Sequence, residues 1–145
     1  MFKHILVATD GSALSEKAGR NAVQLAKSLS ASLTAITVSI PFHVFATDAV
    51  MVTDTEDAYK RECKARAEKY LRVIKAAAES SGVSCEGIHV FHDHPYAAIV
   101  DTASKRGCDA ICMASHGRRG IAALVLGSET IKVLTHAKVP VVVWR

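Results

Sequence analysis

The sequence predicts an α/β fold, a three-layer sandwich built on a five-stranded parallel sheet in the order 3-2-1-4-5. Apolar runs of strand length alternate with stretches of helical period, the pattern of βαβ units joined by right-handed crossovers. The first and fourth runs are apolar on both faces, as central strands of a covered parallel sheet are, and the third is amphipathic and therefore peripheral. Pro140 cannot donate to a ladder, which puts the fifth strand at an edge.

His4 to Ala8 reads as the first strand, followed by a helix with Ala18, Ala22, Leu25, Ala26 and Leu29 on one face. Leu33 to Val38 is the second strand. The connection from Ser39 to Asp54 is expected to be a long, rather apolar loop, serving as a lid, a dimer contact or a packed surface excursion. Ala67, Tyr70, Leu71, Ile74 and Ala78 then mark the buried stripe of a long second helix that stops at Gly82. Ile88 and Val90 alternate with His89 and Phe91 in the third strand, and Pro95 opens a helix carrying Tyr96, Ile99, Val100 and Ala103, with Gly107 at its end. Ala110 to Ala114 is the fourth strand, Ser128 to His136 a short helix expected to turn Ile131 and Leu134 inward, and Val139 to Trp144 the fifth strand.

A length of 145 residues suits one domain over 1–145, and no apolar run approaches the ~18 residues of a membrane span. The N-terminal residues lack the pattern of a secretory signal, so a cytoplasmic address is expected. The formal net charge is +4, but acids and bases alternate along the chain and no aromatic-basic platform accompanies them, which argues against a nucleic-acid partner. Cys63, Cys85, Cys108 and Cys112 form no Cys-x-x-Cys pair and read as free thiols rather than zinc ligands or a redox couple.

In the expected strand order the winding reverses between the first and fourth strands, and ligands of open α/β sheets bind beyond the strand ends at that point. Asp10, in Thr9-Asp10-Gly11-Ser12, lies there, suited to a ribose hydroxyl or a magnesium ion once Ser12 caps the helix. After the fourth strand come Ser115-His116-Gly117-Arg118-Arg119-Gly120 and then Gly127-Ser128 opening the last helix. Glycine turns let backbone N–H groups approach an anion, and a helix N-terminus adds unpaired donors and a favourable dipole. A polyphosphate is the natural guest, with the Ser128 hydroxyl and Arg118 or Arg119 assisting. The same glycines and serine also serve as plain turns and a helix cap.

From Ile5-Leu-Val-Ala-Thr-Asp-Gly-Ser12 through Met113-Ala-Ser-His-Gly-Arg-Arg-Gly120, Leu126-Gly-Ser128 and Pro140-Val-Val-Val143, the chain resembles the universal stress protein family over essentially its whole length. The ATP-binding branch of that family carries Gly, two residues, Gly, nine residues, then Gly and Ser or Thr. Here Gly117, Gly127 and Ser128 match with nine residues between the glycines, and Ala114 stands in place of the first glycine. The resemblance implies an adenine nucleotide alpha hydrolase-like sheet that binds ATP, with Mg2+ at Asp10. It implies a homodimer through the fifth strand (Val141, Val142, Val143). It also implies that Ala8 and Thr9 border the base and Val38 offers its backbone to the adenine. Ala114, Gly117, Arg118, Gly127, Ser128 and Glu129 would then line the phosphates.

Other chemistry lacks its parts. There is no nucleophile elbow and no Walker lysine after a glycine loop, so hydrolysis or self-phosphorylation at Ser128 would at most be slow. His92-Asp93-His94 has the residue types of a metal site, although Pro95 explains the stretch as a helix entry. A phosphoacceptor domain using Asp93 would need paired acids after the first strand, which are absent. The two readings carried forward are an ATP-binding regulatory homodimer of the stress response and a nucleotide-free dimerising stress protein acting through protein contacts.

Overall fold

Alternation along the strands decides the layering. In His4–Ala8 (β1) the side chains of Ile5 and Val7 enter one apolar cluster and Leu6 enters another, so the strand is covered on both faces. The computed structural model describes residues 1–43, 49–118 and 126–145. The further elements are α1 (Ala13–Leu29), β2 (Ser32–Ser39), α2 (Ala49–Ser80), β3 (Cys85–Phe91), α3 (Pro95–Lys105), β4 (Ala110–Ala114), α4 (Ser128–His136) and β5 (Val141–Trp144). All strand pairs are parallel and the order is β3-β2-β1-β4-β5, as the apolar pattern required.

On one face α1 and α2 close over Val7, Leu33 and Cys112, with Val23, Leu71 and Ile74 directed at the sheet. On the other, Ile99 of α3 and Val133 of α4 pack with Leu6, Ile36 and Ile111. Among the described residues no helix is long and apolar enough to cross a membrane. All four cysteines are free, and burial pushes the thiols of Cys108 and Cys112 up to about 11, which leaves them unreactive near neutral pH.

Four boundaries and one face differ from the sequence expectation. Helix α2 begins at Ala49, inside the stretch read as a loop to Asp54, because no glycine or proline interrupts residues 49–80 and nothing stops the helix from extending upstream. Residues 44–48 of that stretch lie outside the described residues. β2 gains Ser32 and Ser39, and β5 starts at Val141 rather than Val139, with the carbonyl of Pro140 accepting the Ile111 N–H at 2.9 Å.

Helix α4 is rotated from the expectation that Ile131 and Leu134 face inward. They are 46% and 43% exposed, while Thr130 and Val133 are buried. The Thr130 hydroxyl donates to the Ala114 carbonyl at 3.1 Å on the stripe that meets the sheet. Val133, fully buried in the cluster with Leu6 and Ile111, supplies the apolar contact of that stripe.

Gly19 of α1 sits against Ile74 of α2, where an added Cβ would lie 2.8 Å from the side-chain carbons of a fully buried isoleucine. Helix propensity favours alanine by about 1 kcal/mol, whereas overpacking costs about 1–3 kcal/mol. Gly19→Ala is therefore expected to destabilise the fold by ~1 kcal/mol, read as a lower urea midpoint with an unchanged slope.

Candidate functional site at the ends of β1 and β4

The two central strands end side by side, and each delivers a loop to the same point. Ser12 caps α1, its hydroxyl accepting the Ser15 N–H at 3.2 Å, which leaves the Asp10 carboxylate for other partners. One Asp10 oxygen accepts the Ser12 N–H at 3.0 Å and the other accepts the Arg118 N–H at 2.8 Å, 108 residues away. A single carboxylate thus ties the loop after β1 to the loop after β4.

Gly117 is required by that tie. A Cβ there would lie 2.3 Å from the Asp10 oxygen that receives Arg118. Gly127 plays the matching part on the other side of the loop. Its N–H donates to the Ser115 carbonyl at 2.7 Å, and a Cβ would lie 3.1 Å from the Cα of His116. The two glycine turns expected to flank the crevice are therefore in contact with each other through Ser115 and His116. Gly127 is also the residue that precedes α4, and no side chain caps that helix among the described residues, so its first N–H groups remain available to an anion.

The other expected residues fall around this junction. Thr9 is buried and its groups are engaged by the protein: its N–H donates to Ile36, its carbonyl accepts the Thr37 hydroxyl, and its hydroxyl lies 3.1 Å from that of Ser15. Ala8 and Val38 both pack on the α3/α4 side, at the ends of neighbouring strands, and form an apolar margin. Ala114 is buried at the end of β4 and has no positive φ, so its methyl group brings no backbone strain. Ser128 is exposed on the first turn of α4. The Glu129 carboxylate points to α3 instead, accepting the Tyr96 N–H at 2.8 Å and lying 3.3 Å from the Lys132 amine. Arg119 and Gly120 lie outside the described residues.

Tyr70 of α2 was read from the sequence only as part of a buried stripe, yet it belongs to this junction. Its ring covers Gly11, whose φ is +74° and whose Cβ would fall 2.2 Å from the ring. The Arg118 guanidinium stacks on the same ring at 4.8 Å from the centroid. No signal in the sequence separates Tyr70 from its apolar neighbours, because the contact depends on how α2 crosses the loops.

Burial works against the charge on Asp10, but the Ser12 hydroxyl and N–H, the Arg118 N–H and the Ser15 hydroxyl together outweigh it and hold the carboxyl below its ordinary range. Elsewhere, His92 accepts the His94 N–H on its Nδ1, and Asp93 pairs with His43. Among the described residues no group of three or more His, Cys, Asp or Glu side chains could hold a metal ion. Asp10 offers one carboxylate, enough to share a cation with a polyphosphate.

Comparison at the family level matches residues 1–145 to the universal stress protein family. The chain belongs to that family. Universal stress protein YxiE of Bacillus subtilis is 32% identical over 149 residues, covering 100% of both chains. Universal stress protein MJ0531 of Methanocaldococcus jannaschii is 29% identical, covering 99% of this chain and 82% of the relative. Among solved structures, hypothetical protein MJ0577 superposes with a TM-score of 0.80 at 27% identity over 99% of this chain and 96% of that one. A universal stress protein in complex with cAMP gives 0.72 at 27% identity, over 99% and 97%. The sheet of this universal stress protein is accordingly the adenine nucleotide alpha hydrolase-like fold.

Because the folded-state pKa of Asp10 is depressed, its contribution to stability is complete above the ordinary carboxylate range and is lost as pH falls through the lowered value. Asp10→Asn is expected to cost roughly 1 kcal/mol at pH 7, the scale of a charge-assisted hydrogen bond discounted for partial exposure. Denaturation curves collected down the acid range should show the two proteins converging.

Proposed function

We propose that this universal stress protein is a regulatory nucleotide-binding homodimer of the cytoplasmic stress response, one domain over 1–145, holding ATP with Mg2+ in the crevice between the ends of β1 and β4. The observation that carries the reading is the pair of glycine turns, Gly117 and Gly127, brought together beside the uncapped N-terminus of α4. The N–H groups of that helix start, reached past two glycines that carry no side chain, suit a chain of phosphate oxygens. The similar protein crystallised with cAMP supports an adenine nucleotide as the ligand class.

In this reading Ala8, Thr9 and Val38 border the base, and Asp10 meets the ribose or the cation. Ala114, Gly117, Gly127, Ser128 and the backbone of Glu129 line the phosphates, with Arg118 offsetting their charge. The Asp10 carboxylate and a triphosphate would compete for the Arg118 N–H and repel each other. Mg2+ held by Asp10 would supply the positive charge that offsets this repulsion. Asp10 is already committed to Ser12 and Arg118, so the site favours binding over rapid turnover. Any hydrolysis or transfer to Ser128 would be slow.

The nucleotide-free reading has one observation in its favour, since the Asp10 carboxylate itself occupies the Arg118 N–H. A calorimetric titration separates the two. Mg-ATP is expected to bind at one site per chain, and removal of Mg2+ with a chelator or the change Asp10→Ala should each weaken binding about tenfold or more. No heat and no nucleotide released on denaturing the purified protein would leave the nucleotide-free dimer.

The dimer reading rests on the β5 edge, where Val141 to Trp144 are only half-buried and Ile131 and Leu134 stand exposed on the adjoining α4. A two-fold axis beside β5 would pair that strand with its copy and cover both side chains. Ile131→Glu with Leu134→Glu, two exposed positions, is expected to convert the dimer to a folded monomer in analytical ultracentrifugation.

A further inference from the structure

The edge of the sheet opposite β5 has a different chemistry. β3 pairs only with β2 among the described residues, and the ladder is anchored by Leu33 N–H to Ser84 carbonyl at one end and His92 N–H to Ser39 carbonyl at the other. In a parallel ladder the inward-turned residues alternate, so Glu86, Ile88 and Val90 bond β2, while Cys85, Gly87, His89 and Phe91 turn their N–H and C=O groups outward. Three of those outward residues, Gly87, His89 and Phe91, also line a groove of about 450 Å3 between β3 and α2. The helix side of the groove carries Lys60, Arg61 and Lys64 against a single acid, Glu68, with Leu71 on its floor. Lys60 is held by Glu56, whereas Arg61 and Lys64 have no ion pair among the described residues. Phe91 is 37% exposed.

We propose that this groove docks an acidic, extended peptide segment of another protein, which adds to β3 as a sixth strand and places alternate acidic side chains against Arg61 and Lys64. The outward N–H and C=O groups repeat every second residue, the spacing that a strand satisfies and that a nucleic acid backbone, rich in acceptors and poor in donors, does not. A second copy of β3 would bring the same cations and be repelled, so the charge selects an acidic partner over self-association. The surface lies at the far edge of the sheet from β5, so docking here leaves the proposed dimer edge free. It also requires nothing of the nucleotide crevice.

The test uses the full chain and an eight-residue peptide of alternating valine and glutamate, with a valine-lysine peptide and an eight-nucleotide uridylate as comparisons. Fluorescence anisotropy should show saturable binding of the acidic peptide, weakened about tenfold by the double change Arg61→Glu with Lys64→Glu. Hydrogen exchange followed by NMR should show added protection at the amides of Cys85, Gly87, His89 and Phe91, with Glu86, Ile88 and Val90 unchanged. Unaltered exchange elsewhere in the double variant would show that it is folded. The proposal is overturned by equal binding of the lysine peptide, by tighter binding of the uridylate, or by peptide binding without the alternating protection.

Discussion

The Asp10 carboxylate is the contact on which the arrangement of this site depends. It accepts N–H groups from Ser12, two residues on, and from Arg118, at the far end of the chain, and so makes one structure of two loops. That is feasible only because β1 and β4 are neighbours in the sheet, which brings their carboxyl ends within a carboxylate's reach. Gly117 leaves room for the oxygen, Gly11 leaves room for Tyr70, and Arg118 lies over the same ring. Each glycine in this junction answers to a named neighbour.

Helix α4 is held by the same economy of polar contacts. Thr130 fastens it to the end of β4, and Glu129 fastens it to the first turn of α3, where the donor at Tyr96 has no other cap among the described residues. With these two bonds made, the helix N-terminus is fixed beside Ser115 and His116, and no described side chain caps its N–H groups. An uncapped terminus next to a carboxylate balances opposing fields. The backbone donors invite an anion, and Asp10 resists one unless a cation intervenes. Under the proposed function, the site would therefore prefer a ligand that arrives with its own positive charge.

The two edges of the sheet illustrate how one architecture presents two surfaces. At β5 the half-buried valines and the exposed Ile131 and Leu134 make an apolar margin; at β3 an open ladder runs beside Arg61 and Lys64. Natural sheets blunt their edges with charge or cover them, and the cations of the groove do so at β3. The difference arises from α2, whose Lys60, Arg61 and Lys64 line the groove beside β3, whereas α4 leaves Ile131 and Leu134 exposed.

Strand order, the convergence of the loops after β1 and β4, the capping role of Ser12 and the nearness of Asp10, Gly117 and Gly127 to that point were all legible in the residues, because they follow from apolar periodicity and from local turn chemistry. The start of α2, the face of α4, the attachment of Glu129 to α3 and the place of Tyr70 were not. In each of those cases the outcome turns on a contact between residues far apart in the chain, such as Thr130 with Ala114 or Tyr70 with Gly11. The sequence by itself determined the elements and where their ends converge, since those are properties of short stretches of chain. Only the tertiary structure decided which groups are left unpaired there, because a hydrogen bond or a close approach belongs to two segments and is written in neither alone.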